Sequence, residues 1–217
     1  VVDFATRRRM MVDTQVRPSD VTKYPIIEAM LNVPREAYVP QGRREAAYMG
    51  ESIPLGGDRV ILEPRTFAKF LDGMEIRPGD VVLDVGCGLG YSTAILAWLA
   101  EFVVGVEDDA GRAEEAQATL SDQGVDNAAV IEGPLEAGHA KGGPYDVILI
   151  EGAVEQVPQA LLDQLKDGGR IGAIFAEAGL GTARIGYKTD GRVGWRYAFN
   201  AGAPVLSGFR TTAAFSF

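Results

Sequence analysis

This chain has little of what several common chemistries need. Its 217 residues hold one cysteine, Cys87, and one histidine. A single cysteine excludes an intrachain disulfide and gives no metal-ligand cluster. No stretch is long and uncharged enough to span a bilayer as a helix. The three arginines at 7–9 are not followed by an apolar run, so 1–9 does not read as a secretory signal and the expected address is the cytoplasm. Positive charge is also short. Lys and Arg number 21 against 30 Asp and Glu, for a net charge of −9. That balance argues against broad nucleic-acid binding. What remains is enough length to bury a large core in one domain, and 27 glycines.

No internal repeat or low-complexity tract is visible. Residues 1–75 read as a helical, loop-rich extension. Residues 76–217 alternate apolar strands with helices, the pattern of an α/β sheet. In the extension, the spacing predicts a helix from Phe4 to Val16, ended near Arg17-Pro18. A second helix is expected to be capped by Asp20, with Ile26, Ile27, Met30 and Leu31 inward. A loop over 52–63 leads to a helix opening at Pro64, with Phe67, Phe70, Leu71 and Met74 on its core face. In the second region, strands are expected at 81–85, 102–107, 128–132, 145–150 and 170–175. Helices are expected at 110–122 and from Pro158, the latter stopped by a turn at Lys166-Asp167-Gly168-Gly169. Two more strands, 182–188 and 209–217, would form an antiparallel pair, the last read from alternating Phe209, Thr211, Ala213, Phe215 and Phe217. Segment 192–208 carries a loop signal at Asn200-Ala201-Gly202-Ala203-Pro204 and could cover a cleft or form an interface.

The densest signal is Val81 to Tyr91, a buried strand running into Gly86-Cys87-Gly88-Leu89-Gly90 and then a helix. The glycines are spaced G-x-G-x-G. The dinucleotide fingerprint is G-x-G-x-x-G, and Tyr91 stands where its last glycine would be. A pyrophosphate needs close approach to a helix N-terminus. A cofactor without phosphates, such as S-adenosylmethionine, mainly needs room over the turn for its methionine part and ribose. Glu107 closes the next apolar stretch, where a strand-end carboxylate accepts hydrogen bonds from a ribose diol. Asp84 either holds the turn through backbone amides or contacts the cofactor's amino group. Tyr91 is placed to line the methionine end, and Cys87 is expected as a small turn or core residue.

Glu28-Ala29-Met30 with Val33-Pro34-Arg35-Glu36-Ala37-Tyr38-Val39-Pro40 is similar to the signature A-M-x-x-V-P-R-E-x-F-V-P. Val157-Pro158-Gln159-Ala160-Leu161-Leu162-Asp163-Gln164-Leu165-Lys166-Asp167-Gly168-Gly169-Arg170 is similar to V-P-x-x-L-L-x-Q-L-K-x-G-G-R. With the turn at Leu83 to Tyr91, these segments resemble the class I S-adenosylmethionine-dependent methyltransferases. More narrowly, they resemble the protein-L-isoaspartate O-methyltransferase family, from about Met11 to Gly191. The resemblance implies a Rossmann-like, mostly parallel seven-stranded sheet of order 3-2-1-4-5-7-6 with helices on both faces. It implies S-adenosyl-L-methionine as cofactor and a protein or peptide substrate whose isoaspartyl carboxylate is methylated. The candidate cofactor residues are Asp84, Gly86, Cys87, Gly88, Gly90, Tyr91, Glu107, Asp108, Glu132, Gly133 and Glu151.

Four departures surround that site. The family's T-I-S-x-P loop reads Val60-Ile61-Leu62-Glu63-Pro64, with Leu62 in the serine's place. Leucine donates no hydrogen bond. The family's A-Y-x-D reads Ala47-Tyr48-Met49-Gly50, and its G-D-G reads Gly133-Pro134-Leu135, leaving adenine to backbone groups or Glu132. Its T-A-A reads Glu151-Gly152-Ala153. The expectation is a retained donor site and an altered acceptor site around Leu62, Arg59 and Arg65. Either arginine could anchor an anionic acceptor, since its fork matches two oxygens. The favoured reading is that both are solvated, the usual state of arginine. An alcohol or amine acceptor would want a base, which Glu63 or Glu151 could supply. Glu63 could equally support the helix start at Pro64. A methyltransferase with another acceptor, a small molecule or a protein side chain, and a non-catalytic cofactor- or partner-binding module stay open as alternatives.

Overall fold

The computed structural model describes residues 3–177 and 180–211. The chain opens with α1 (Phe4–Met11), capped by the Asp3 side chain, and continues through a π turn at Val12–Val16 and a 3-10 turn at Arg17–Ser19. That is the helix end expected at Arg17-Pro18. Asp20 is not a cap. It adopts a left-handed φ of 65°, and α2 (Tyr24–Asn32) begins beyond it with a proline in its first turn. Proline's fixed φ sets that start. The expected loop over 52–63 contains a short antiparallel hairpin, β1 (Ile53–Gly56) with β2 (Arg59–Ile61). It turns through Gly57-Asp58, with positive φ at Gly56 and Gly57. Then α3 (Pro64–Met74) buries Phe67, Phe70, Leu71 and Met74.

The second region runs β3 (Val81–Val85), α4 (Tyr91–Leu99), β4 (Phe102–Glu107), α5 (Ala110–Asp122), β5 (Ala128–Glu132), β6 (Tyr145–Val154), α6 (Gln159–Asp163), β7 (Leu165–Glu177), β8 (Leu180–Thr189) and β9 (Arg192–Asn200). The turn expected at 166–169 falls inside the span of β7. Seven strands form one sheet in the order β5-β4-β3-β6-β7-β8-β9. β3 to β7 are parallel, and β8 and β9 are antiparallel additions. This is the expected Rossmann-like α/β sheet, with one correction at its edge. Counted from β3, the order is 3-2-1-4-5-6-7, not 3-2-1-4-5-7-6. Asp190 and Gly191, at φ 50° and 74°, make a tight turn that sets Thr189 opposite Arg192. A two-residue turn of this kind forces neighbouring strands to pair. Among the described residues the last strand is therefore Arg192–Asn200, where the expectation was 209–217. Phe209 to Thr211 belong to no strand, and 212–217 lie outside the described residues.

The sheet is covered on both faces. One apolar layer joins Met11, Ile27, Phe67 and Phe70 to Val82, Leu96 and Leu149. The other holds Leu83, Ile148, Leu161 and Ile171. Val82 and Leu83 fall into different layers because successive strand side chains point to opposite faces. The first layer mixes residues of the extension with those of the sheet. Among the described residues, no helix is long and apolar enough to cross a membrane.

Candidate active site

Strands β3 to β6 bring their carboxyl ends to one edge of the sheet, where open α/β sheets place ligands. After β3, Gly86, Gly88 and Gly90 all take positive φ, at 82°, 58° and 97°. Side chains resist that conformation, so the turn needs glycine at each position. The amides of Gly86 and Cys87 donate to the Val106 carbonyl at 2.8 and 3.2 Å, tying the turn to β4. Cys87 is buried, and burial followed by the charges of Asp84 and Glu107 pushes its thiol up. That environment suits packing and not nucleophilic attack.

Asp84 holds the start of α4. Its Oδ2 accepts from the hydroxyls of Ser92 and Thr93 at 2.6 and 2.7 Å, not from backbone amides. Its Oδ1 is buried without a partner, as is Oε1 of Glu151 on β6. Burial pushes the Asp84 carboxyl up to about 6 against those two hydrogen bonds. Burial and then the Asp84 charge push Glu151 up, while Arg35 and Arg59 oppose the rise.

Arg35 is fully buried. It donates to the carbonyls of Ala47 and Leu62 at 2.7 and 2.9 Å, and its Cζ sits 4.7 Å from the Tyr91 ring centre. Tyr91 is buried, tilted against Tyr38 and Phe67 at 6.2 and 5.9 Å between ring centres. Arg35 Nη1 and the Tyr91 hydroxyl have no partner.

Arg59 is 3% exposed. Its Nη1 and Nη2 donate to the two oxygens of Glu107 at 2.8 and 2.7 Å, and Nη1 also donates to Asp108 at 2.6 Å. Its Nε has no partner. Glu107 is fully buried and also accepts from Arg112 Nε at 3.0 Å, the Gly88 amide at 2.8 Å and the Asp109 amide at 3.3 Å. Burial works to raise the Asp108 carboxyl. Its hydrogen bond with Glu107 and the charges of Arg59 and Arg112 prevail and hold it below the usual range.

The outer side is open. Asp108, Glu132 and Gly133 line a groove of about 420 Å³ with Ser207 and Gly208. Residues 204–209 form a strap beside the end of β6. The Ala153 amide donates to the Pro204 carbonyl at 3.0 Å, and the Leu206 amide to the Ala153 carbonyl at 2.9 Å. Ser207 donates through its amide and hydroxyl to Asp58 at 2.6 and 2.8 Å, joining the strap to the β1–β2 hairpin.

The glycine turn, Asp84, Tyr91, Glu107, Asp108 and Glu151 thus gather at one edge, with Glu132 and Gly133 on the groove beside them. The three acceptor-side residues do not gather. Arg59, expected as solvated or as an acceptor anchor, is buried on Glu107 because the hairpin folds over the turn. Arg65 lies towards β9, its Cζ 5.9 Å from the Phe199 ring centre. Leu62 is buried in the apolar core. Glu63 accepts from Thr66 at 2.6 Å within the first turn of α3, which serves the helix start. Sequence reasoning missed Arg35 as a site residue. The signal was a cation set among Val33, Tyr38 and Val39, apolar positions with no solvent face.

The profile of the family described as Protein-L-isoaspartate(D-aspartate) O-methyltransferase matches residues 6–176. The chain belongs to this family. A protein-L-isoaspartate O-methyltransferase of Methanoregula boonei is 38% identical over 164 residues, covering 76% of this chain and 76% of that one. Protein-L-isoaspartate O-methyltransferase 1 of Rhodopseudomonas palustris is 34% identical over 168 residues, covering 77% and 69%. A solved protein-L-isoaspartate O-methyltransferase shares the fold with a TM-score of 0.81 at 24% identity, over 93% of this chain and 66% of that one. A Plasmodium falciparum structure described as a beta-aspartate methyltransferase with S-adenosyl-L-homocysteine has a TM-score of 0.80 at 18% identity, over 95% and 99%.

This protein-L-isoaspartate O-methyltransferase family member has the donor groups for an S-adenosyl cofactor. The orphaned acceptors Asp84 Oδ1 and Glu151 Oε1 suit an ammonium, and the orphaned donor Arg35 Nη1 suits a carboxylate. Glu107, the acid expected to meet a ribose, accepts from the amide of Gly88 in the glycine turn. The residues therefore fit the cofactor in kind.

Proposed function

We propose that this chain is an S-adenosylmethionine-dependent methyltransferase that esterifies the side-chain carboxylate of isoaspartyl residues in proteins. The supporting observation, in a member of this family, is the set of buried, unpartnered polar atoms on Asp84, Glu151 and Arg35. Buried polar atoms are otherwise nearly always paired. These three suit a ligand with both an ammonium and a carboxylate, which is the amino-acid end of the cofactor. Asp84 and Glu151 would hold the ammonium, Arg35 the carboxylate and Glu107 the ribose diol. Glu132 and Gly133 would flank the adenine from the groove. When bound, the cofactor supplies a methyl group activated on a sulfonium.

A carboxylate acceptor is already ionised at neutral pH and needs no general base. The chain's own work is alignment and the exclusion of water. Leu62 gives the acceptor no hydrogen bond, so its orientation falls to backbone groups and to Arg65. Among the described residues Arg65 makes no ion pair, which leaves its fork for an acceptor carboxylate.

The test is methyl transfer from labelled S-adenosylmethionine to an isoaspartyl peptide, with the aspartyl peptide as control. Base-labile label on the isoaspartyl peptide alone is expected. Equal labelling of both, or of neither while S-adenosylhomocysteine binds, would sink the acceptor assignment. Arg65→Ala should raise the KM for the peptide by about tenfold with kcat little changed. An unchanged KM removes Arg65 from the acceptor site.

A further inference from the structure

We infer that Arg59 is a built-in competitor for the cofactor's ribose, and that the β1–β2 hairpin is a latch the cofactor must release. The inference rests on the cofactor reading above and goes beyond it. A carboxylate offers about four lone-pair directions. Glu107 already accepts from Arg59 Nη1, Arg59 Nη2, Arg112 Nε and the amides of Gly88 and Asp109. No capacity is left for a diol. The bare faces of the turn are covered by the same hairpin. A Cβ at Gly86 would lie 3.0 Å from Arg59 Nη2, and one at Gly88 would lie 2.7 Å from the Leu55 side chain. Glycine leaves those faces open to a ligand, and here Arg59 and Leu55 lie against them.

The latch has two fastenings. The inner one is the buried fork of Arg59 on Glu107 and Asp108. The outer one is Asp58, which accepts both donors of Ser207 on the strap. Both are carried by the one short β1–β2 hairpin, whose turn is Gly57-Asp58. Arg59 leaves Glu107 with Arg112 and two amides still in place. The ribose acid therefore stays oriented while it gains capacity for one hydroxyl donor. Cofactor affinity is then reduced by the fraction of molecules in which the hairpin is closed.

The experiment is calorimetric titration of the full chain with S-adenosylhomocysteine, with amide hydrogen exchange across 53–61. The wild type should bind with loss of protection over the hairpin. Arg59→Gln should tighten binding by about tenfold or more. Asp58→Ala keeps the Glu107 cluster intact and removes only the outer fastening. It should tighten binding in the same direction and raise exchange over 53–61 without ligand. Equal affinity in wild type and both variants, or unchanged hairpin protection on binding, overturns the latch alone. No binding by any of the three overturns the cofactor reading and the latch with it.

Discussion

A guanidinium with no solvent contact is stable only where its hydrogen bonds replace water, and Arg35 shows what such a group does for a site. Two of its donors hold the carbonyls of Ala47 and Leu62, on either side of the hairpin. Its Nη1 has no partner. Replacing it with methionine fills similar space but strands both carbonyls, each a loss of about 1–3 kcal/mol. Arg35→Met should therefore destabilise the protein by about 3 kcal/mol, read as a lower urea midpoint at unchanged m. A loss below about 1 kcal/mol would mean that the carbonyls find other donors. Arg35→Lys should not restore the loss, because a point charge cannot span two carbonyls as a fork does. At this scale the sequence was half legible. Glu107 was readable because a strand-end acid after a glycine turn has one geometry. Its partner Arg59 was not, because it lies 48 residues away on a hairpin whose docking depends on tertiary packing.

At the scale of elements, the strap shows how one glycine fixes a neighbour. Leu206 is fully buried against Gly152, where a Cβ would lie 2.6 Å from Leu206 carbons. Gly152→Ala should push Leu206 out at a cost of about 1–3 kcal/mol, the usual penalty for overpacking. The fold should persist, with trypsin cutting faster after Arg210 as the strap loosens. Unchanged cleavage would show that Leu206 repacks in place. Elements with strong local signals were legible to the residue. β3, β4, α5 and β5 occupy the expected 81–85, 102–107, 110–122 and 128–132. β9 was not, for a reason visible in its register. Trp195 packs into one apolar layer and Phe199 into the other, although they have the same parity. The register shift opposite Ala183 and Arg184 places one extra residue between them. A one-residue bulge flips the side that faces the core, so no single alternation runs the length of the strand. The Asp190-Gly191 pair was the surviving signal for the hairpin.

The site belongs to the whole molecule, because both ends of the chain close it: the hairpin from the extension and the strap from beyond β9 meet over the sheet's carboxyl edge. Its buried acids give the fold a particular pH dependence. Asp84 is pushed up to about 6 from an ordinary 3.8, so the folded chain binds this proton more tightly than the unfolded one. The linked stability is fully present below the unfolded value and is lost as pH rises through about 6. A shift of that size corresponds to about 3 kcal/mol. Glu151, raised by burial and by Asp84, acts in the same sense. Asp108 and Asp146 have the opposite sign. Their folded values are lowered, so their contributions are present at neutral pH and lost only in acid. Those two are finished before Asp84 begins to ionise. Between about pH 5 and pH 7.5 the free protein should therefore lose stability as pH rises. Asp84→Asn keeps an acceptor for Ser92 and Thr93 while removing the titrating group, so its melting temperature should be flatter over the same window. S-adenosylhomocysteine should stabilise the wild type most at the alkaline end, where an ammonium meets two ionised carboxyls. Parallel melting profiles for wild type and Asp84→Asn would mean that Asp84 stays ionised in the fold, and the pair would then need a permanent cation beside it.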